Sequence, residues 1–377
     1  MVEEVTAMSR RRDQVPVTRR LLAARPVRTG AGVLGIGLAL MLMLLLNGLW
    51  TGVQERVTVY DEHLGADLVV VPPGTESLFA DPGVLPAAAE TQIARTAGVT
   101  DTSLIRTMYL ILELPHGKAA VAAVASEPGA PGGPWALGEG RAPASTGEVA
   151  VDALFADQHG LGLGDRLPLF GHQMRVVGLT EGTAMFMTPL LFTTSDAMAG
   201  MLGAGDTTGA VLVSTDSPGV VAERLRDQGL TVRTPGQLRE ASLTLATQIY
   251  GSSVKLMVAV AFAAGTLIVA LVAYTRVTEQ QRDLGVLKAL GARPGRIRRV
   301  AVAETFALTI AGALAAVLLL LLTRELLAWW RPAFPVALTP GTVARTAAAA
   351  AVMAVLAAWM PARRLNRLDA ATAFRSR

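Results

Sequence analysis

Hydrophobic positions gather into four stretches free of charged side chains, 29–54, 256–275, 305–323 and 346–362. A bilayer core about 30 Å thick takes about 20 mostly apolar helical residues, so each stretch predicts a membrane-spanning helix. The fourth holds only 17 residues, but Arg345 and Arg363 flank it and can extend their charged heads to the interface. The first is too long for a signal-peptide core, and no small-residue cleavage site follows Trp50, so it reads as an uncleaved helix. Between residues 55 and 240 no uncharged stretch is long enough to span. The longest, 182–195, contains Pro189 and five serines or threonines and reads as strand.

The chain between the first two spans changes period. Strands are predicted at Asp67–Gly74 (ended by a proline pair), Met108–Leu114, Ala119–Ala125, Arg175–Leu179, Leu190–Thr194 and Ala210–Ser214. Helical patterns intervene at Leu85–Ala97 and Pro218–Gln228, the latter with Ser217 as N-cap and Pro218 at its first position. Strands interleaved with helices predict an α+β domain. Pro128–Gly140, rich in Pro, Gly and Ala, reads as an exposed loop. Val53–Leu64 and Gln237–Tyr250 lack Gly and Pro, and Leu238, Ala241, Leu245 and Ile249 recur at helical spacing. These flanks read as a stalk that prolongs the first two spans. The fold class is thus an α-helical membrane protein with four transmembrane helices and one extracytoplasmic α+β domain between helices 1 and 2.

Charge orients this layout. Lys and Arg number seven in residues 1–30, seven in 276–300 and five in 361–377, against two in 324–341. Residues 55–250 carry 11 basic and 22 acidic side chains. Basic loops stay cytoplasmic, which places both termini and the 276–300 loop inside a bacterial cytoplasmic (inner) membrane. Trp50, Trp329 and Trp330 then fall at outer ends of spans. The expected order is a cytoplasmic N-terminus, 1–30, with a short amphipathic helix at Val17–Arg28 that rests on membrane lipid and is broken by Pro26. Helix 1 follows at 31–54, the outer domain with its stalk at 55–253, helix 2 at 254–275 and a polar segment at 276–299. Helix 3 at 300–323, a short external loop at 324–341, helix 4 at 342–361 and a tail at 362–377 complete it.

Composition agrees and excludes chemistry. Hydrophobic residues make up 51% and charged ones 17%, below the ~25% of soluble domains; mean hydropathy is +0.43. With no cysteine there is no disulfide, thiolate nucleophile or Cys-ligated metal. His63, His116, His159 and His172 have no ligand spacing, so no metal site is expected; His63 reads as a solvated stalk histidine. No G-x-x-x-x-G-K-[ST], H-E-x-x-H or G-x-S-x-G occurs, which removes P-loop nucleotide binding and the corresponding hydrolases. Nothing points to nucleic acid.

The segment Glu279-Gln-Gln-Arg-Asp-Leu-Gly-Val-Leu-Lys-Ala-Leu-Gly-Ala292 carries the most information. Leu284, Leu287 and Leu290 form a one-sided apolar stripe, Arg282 and Lys288 lie off it, and Gly291 can end the helix. The wording and its place between the second and third spans resemble the coupling loop of FtsX/MacB-type (type VII) ABC-transporter permeases, with Asp283 where Glu is commoner. The resemblance implies that Arg282, Asp283, Leu284, Gly285, Leu287, Lys288, Leu290 and Gly291 dock on a separate ABC ATPase subunit. That subunit would hold ATP and Mg, with no cofactor in this chain. Met360–Arg375 resembles the family's ending, with Ala370 and Thr372 in place of the usual Pro and Glu. Gly65–Leu78 and the four-span layout resemble the DevC/HrtB branch.

The resemblance implies a MacB-like periplasmic core domain outside and a dimer with a second permease copy or a paralogue. The implied activity is ATP-driven extrusion of a hydrophobic or amphiphilic substrate such as haem, a lipid, a lipoprotein or a peptide. The alternative is a non-transporting transducer that regulates an extracytoplasmic cell-wall hydrolase. Asn47, Trp50 and Glu55 lie close along helix 1 and are the candidate substrate-facing residues, against a reading of Trp50 as an interfacial anchor. Glu304 is expected to face a partner helix or Arg299. Gly30, Gly32, Gly35 and Gly37 permit close helix approach of the kind dimers use. Met185, Met187, Met198 and Met201 read as core filler.

Overall fold

The structure, a computed structural model, describes residues 26–86, 88–115, 117–280, 294–330 and 336–365. It divides into two compact units, one of residues 26–51, 252–280, 294–330 and 336–365, the other of the described residues from 52 to 251.

Long apolar helices build the first unit: α1 (Pro26–Val57), α8 (Ser252–Glu279), α9 (Pro294–Trp330) and α10 (Pro340–Leu365). All four chain regions contain a helix long and apolar enough to cross a membrane. Ile36, Leu40, Met43 and Leu44 of α1 pack with Val269 and Ala270 of α8, Leu308, Ala316 and Leu320 of α9, and Met353 and Ala357 of α10. Glycines set the closest approach. A methyl on Gly312 would lie 2.5 Å from Ile36 Cγ2, and one on Gly37 would lie 3.2 Å from Ala315 Cβ. The N-terminal glycines are thus spent largely within the chain: Gly32 faces Val272 and Gly35 faces Ile268, while a Cβ on Gly30 would meet nothing within 4 Å.

The second unit begins on the last turns of α1, continues through α2 (Val59–Glu62), and ends with α7 (Pro235–Ala246) and a π-helical turn, Thr247–Gly251, that leads into α8. Between them the strands are β1 (Leu68–Val71), β2 (Leu85–Pro86), β3 (Asp101–Leu114), β4 (Gly117–Ser126), β5 (Leu137–Gly140), β6 (Glu148–Asp152), β7 (Arg166–Leu169), β8 (His172–Thr180), β9 (Leu190–Thr194), β10 (Thr207–Thr208), β11 (Ala210–Ser214) and β12 (Thr231–Arg233). The helices are α3 (Ala88–Ala94), α4 (Ala153–His159), α5 (Ser195–Leu202) and α6 (Pro218–Asp227). One mixed sheet runs β12-β1-β11-β3-β4-β9-β6-β8-β5, with β7 beside β8 and a separate β2–β10 pair. Its pairs are antiparallel except β4–β9 and β6–β8.

Strand β1 is buried on both faces of the sheet. Its four residues are all buried: Leu68 and Val70 meet Ile93 of α3 and Val221 and Leu225 of α6, whereas Val69 and Val71 meet Tyr60, Leu64 and Leu238. Helix α7 starts on a capping box, in which Thr234 and Gln237 bond each other's backbone N–H, with Pro235 in its first turn. Apolar packing by α2 and α7 therefore seats the predicted stalk segments on the sheet.

Several local expectations need correction. The predicted helix at Leu85–Ala97 is shorter, because Pro86 lies in extended backbone and only Ala88–Ala94 is helical. Ser217 occupies the N-cap of α6 but makes no side-chain cap bond. Of the stretch 182–195, only Leu190–Thr194 is strand. The Pro128–Gly140 segment is not simply exposed: buried Tyr60 donates to Gly132 O at 3.0 Å, Ser103 donates to Pro131 O, and Trp135 packs on Phe192 and stacks on His63. Met185 and Met198 are buried, but Met187 is 64% exposed.

Candidate functional site

The sequence-predicted docking residues Arg282, Asp283, Leu284, Gly285, Leu287, Lys288, Leu290 and Gly291 lie outside the described residues. Their two anchors are well defined. Helix α8 ends on Glu279, with Gln280 N–H bonded to Arg276 O at 3.0 Å, and α9 starts at Pro294. At this end of the helices the apolar packing gives way to a buried polar group. Arg276 of α8 and Glu304 of α9 both have side chains less than a tenth exposed, with Nη1 and Oε1 3.9 Å apart. Gln280 Nε2 donates to the same Glu304 oxygen at 3.1 Å. Arg276 Nη2 donates to Thr29 Oγ1 of α1 at 2.5 Å. More exposed, Arg28 of α1 pairs with Glu279 at 2.9 Å.

Three helices are therefore tied together where α8 enters residues 281–293. Glu304 does face a partner helix, but its cation is Arg276 and not the exposed Arg299. The sequence marked Arg276 only as a charge at a span boundary. Its pairing with a residue 28 positions later needed the helix packing. Buried charges such as these are tolerated because each has a partner; losing one partner leaves the other desolvated and unpaired.

At the opposite end of the membrane helices, Asn47 Nδ2 donates to Met43 O of its own helix at 3.0 Å. Thr51 Oγ1 donates to Asn47 O at 3.1 Å and accepts from Arg345 Nη2 of α10 at 3.4 Å. Asn47 and Trp50 are half-buried and Glu55 is exposed, all three on α1. Arg345 is the cation that sequence reasoning assigned only to the edge of the fourth span.

In the sheet unit, charged groups are mostly structural. The Glu148 carboxylate takes two bonds from Arg141, one from Arg175 at 3.2 Å and one from Ala144 N–H at 3.0 Å. The Arg141 guanidinium foremost, then the Ala144 N–H, holds its pKa down at about 2. Asp61, 4% exposed on α2, is pushed up to about 6 by burial; its bond with Ser242 of α7 opposes the shift and the neighbouring Glu62 adds to it. Gly160–Asp165 forms a turn, with Gly160 left-handed at φ 64° and Gly162 N–H donating to Asp165 Oδ2 at 2.7 Å. A cleft of about 240 Å³ opens between His63, Trp135 and the Gly129–Gly133 backbone. Among the described residues no group of three or more His, Asp or Glu could hold a metal ion.

Comparison with known proteins follows this layout. Residues 30–228 match the MacB-like periplasmic core domain, and residues 255–370 match the FtsX-like permease C-terminal. No curated protein matches the chain. The periplasmic region of MacB from Actinobacillus actinomycetemcomitans is 11% identical, with 47% of this chain and 92% of that one covered at a TM-score of 0.35. The extracellular domain of the noncanonic ABC-type transporter YknZ from Gram-positive bacteria is 14% identical, with 45% and 98% covered at 0.33. Scores this low carry no argument here. The two family matches do: the first covers more than half of the chain, and the second takes in α8 to α10 with the segment between α8 and α9. This multi-pass membrane protein belongs to the FtsX/MacB-type ABC permeases, membrane components that are not themselves enzymes and whose ATPase is a separate subunit.

Proposed function

We propose that the chain is the permease of an ATP-driven exporter that moves a hydrophobic or amphiphilic substrate, working as a dimer with two ATPase subunits that bind ATP and Mg. Residues 282–291 would dock on the ATPase through the apolar face of Leu284, Leu287 and Leu290. The observation that carries this reading is the FtsX-like match, which runs unbroken through the 281–293 segment. The polar ties of Arg276, Gln280 and Glu304 support it, since a segment anchored to three helices can pass a displacement to all of them. Closure of the ATPases would then pull on α8 and α9 together.

Leu287→Asp is the direct test. Docking would bury the new carboxylate, at a cost of several kcal/mol, roughly, for an unpaired charge. The variant should fold and insert normally but lose the ATPase activity that co-purifies with the wild type. Undiminished ATPase capture would mean that the leucine stripe faces something else.

We further infer that the docking segment and both termini face the cytoplasm of a bacterial inner membrane, and that the sheet unit stands outside. Support comes from the clustering of Lys and Arg in 1–30, 276–300 and 361–377. The natural absence of cysteine makes labelling clean. A cysteine at Gly129, exposed and with open space for a side chain, should react with an impermeant maleimide in intact cells, whereas one at Arg282 should not; neighbouring Gly132 is buried, and a Cβ there would lie 2.5 Å from Ile105. Labelling at 282 with none at 129 would overturn the orientation.

A further inference from the structure

The turn that joins β8 to β9 has two features that its own fold does not require. Met187 sits at its tip with φ +55°, in the left-handed region that a bulky side chain seldom enters. Its side chain is nevertheless 64% exposed and gains little packing in return. Strain retained at an exposed position points to a use outside the fold.

The base of the turn is firmly held. Met185 and Thr188 exchange backbone bonds at 2.9 and 3.3 Å. Thr183 Oγ1 and Ala184 N–H both donate to Asp152 at 3.2 Å. Arg56 Nη1 donates to the carbonyls of Gly182 and Ala184, each at 3.2 Å. No charged residue lies between Gly182 and Ser195. The result is a rigid, uncharged tip that presents Phe186 and Met187 above a guanidinium.

Phe186 meets Tyr250 edge to face, with ring centroids 6.0 Å apart. Tyr250 is 44% exposed and its neighbour Ile249 63% exposed. Both belong to the 45-residue helical run Pro235–Glu279. Along that run Ile249, Leu256, Val260, Leu267 and Leu271 are all exposed large apolar residues, spaced by seven and four. Leu256, Val260, Leu267 and Leu271 share one face of α8, and exposed Ile249 lies in the π-helical turn just before that helix. Tyr250 precedes the uncharged stretch 256–275 by six residues, roughly 9 Å of helix. The headgroup layer is about 5–8 Å deep on each side of the hydrocarbon core, and long side chains add to that reach.

We propose that Phe186 and Met187, with Ile249 and Tyr250, form a membrane-contacting tip that rests in the boundary between headgroups and acyl chains of the leaflet on the sheet unit's side. The occupant is the phospholipid surface. Aromatic rings suit that depth, the thioether and phenyl groups supply apolar contact, and the Arg56 guanidinium lies where lipid phosphates would be. This inference rests on the chain's spanning a membrane and not on its docking to an ATPase.

Spin labels at Met187→Cys and, separately, Phe186→Cys in the full chain test it, in nanodiscs of phosphatidylcholine with phosphatidylglycerol. Val220→Cys, at an exposed position of α6 in the same unit, is the aqueous reference. Collision rates with oxygen, which concentrates in lipid, and with a water-soluble nickel chelate are measured at each site. The oxygen-to-nickel ratio at 186 and 187 should exceed that at 220 at least threefold. Ratios equal to that at 220 would overturn the proposal. So would strong dipolar broadening at 187 that disappears on dilution with unlabelled chain, since a second copy would then cover the tip.

Discussion

Asp61 should make the sheet unit less stable at neutral pH than at pH 4, and replacing it should remove that penalty. Its carboxyl is 4% exposed, between α2 and α7, and its pKa is raised from 3.8 to about 6, chiefly by burial. Between about pH 4 and pH 6 the folded chain keeps the proton that the unfolded chain has released. The folded state then binds more protons, so stability falls as pH rises through this window and levels off above it. A shift of about two units at about 1.4 kcal/mol each gives a penalty of about 3 kcal/mol at pH 7.5. Asp61→Asn keeps the shape and an oxygen that can accept from Ser242, but carries no charge to desolvate. It should match the wild type near pH 4 and exceed it by up to about 3 kcal/mol at pH 7.5.

Hydrogen exchange followed by mass spectrometry on the full chain in nanodiscs reads this locally, after correction for the pH dependence of intrinsic exchange. Peptides from β1 and α7 report most directly, because Val69, Val71 and Leu238 share one core with Tyr60, the neighbour of Asp61. In the wild type their opening free energies should drop between pH 4 and 6; in Asp61→Asn they should stay flat. Parallel profiles in the two proteins would refute the reasoning, for the carboxylate would then be solvated or compensated in the folded state. The nearby ion pair of Glu62 with Arg239, at 2.8 Å and about half exposed, is unchanged by the substitution and serves as an internal control.

Two further outcomes follow from the buried charges. Glu148 has a depressed pKa of about 2 against an ordinary 4.5, so its contribution is present above about pH 4.5 and is lost as pH falls toward 2; Glu148→Gln should cost about 1–2 kcal/mol at pH 7, after allowance for its half-exposed arginine partners, and should flatten the acid limb of an unfolding curve. Arg276→Leu should cost about 3–5 kcal/mol by leaving Glu304 unpaired, seen as a lower melting temperature in detergent, and Arg276→Leu with Glu304→Leu should recover most of it; a single variant as stable as the wild type would show that the pair is solvated.

The four spans were legible because charge-free length is a strong constraint, and the structure places a long helix over each of them. Short runs bounded by turn signals were legible too: Leu190–Thr194 and Ala210–Ser214 form strands with the predicted bounds. The misses share a cause. Glu148–Asp152 is short and acidic at both ends, yet β6 lies in the sheet because Arg141 and Arg175 neutralise Glu148 while Asp152 caps α4. The strand predicted at Met108–Leu114 begins seven residues earlier, because β11 pairs with Asp101–Ile105 residue for residue. Met187 carries the same side chain as Met185 and Met198, and only its left-handed backbone separates it from them. Those differences depend on partners distant in sequence. At the candidate site the sequence supplied the docking stripe, whereas the ties holding its two ends required the packing of α1, α8 and α9.

That packing clarifies why charge is buried among these helices at all. Leucine against leucine is scarcely better than leucine against a lipid tail, so apolar contact by itself discriminates poorly between one helix register and the next. The seam of Gly37 and Gly312 fixes how closely α1 and α9 approach, because a methyl on Gly312 would strike Ile36. It does little to fix their axial offset, since Ala313, Ala315 and Ala316 present similarly small side chains beside it. The polar group of Arg276, Gln280, Glu304 and Thr29 supplies the missing constraint. A slip of one turn, about 5.4 Å, would exchange the 3.1 Å bond from Gln280 to Glu304 and the 2.5 Å bond from Arg276 to Thr29 for unpaired groups in an apolar surrounding. Small residues therefore set the spacing of the helices, and one buried polar group sets their register at the end where the chain enters residues 281–293.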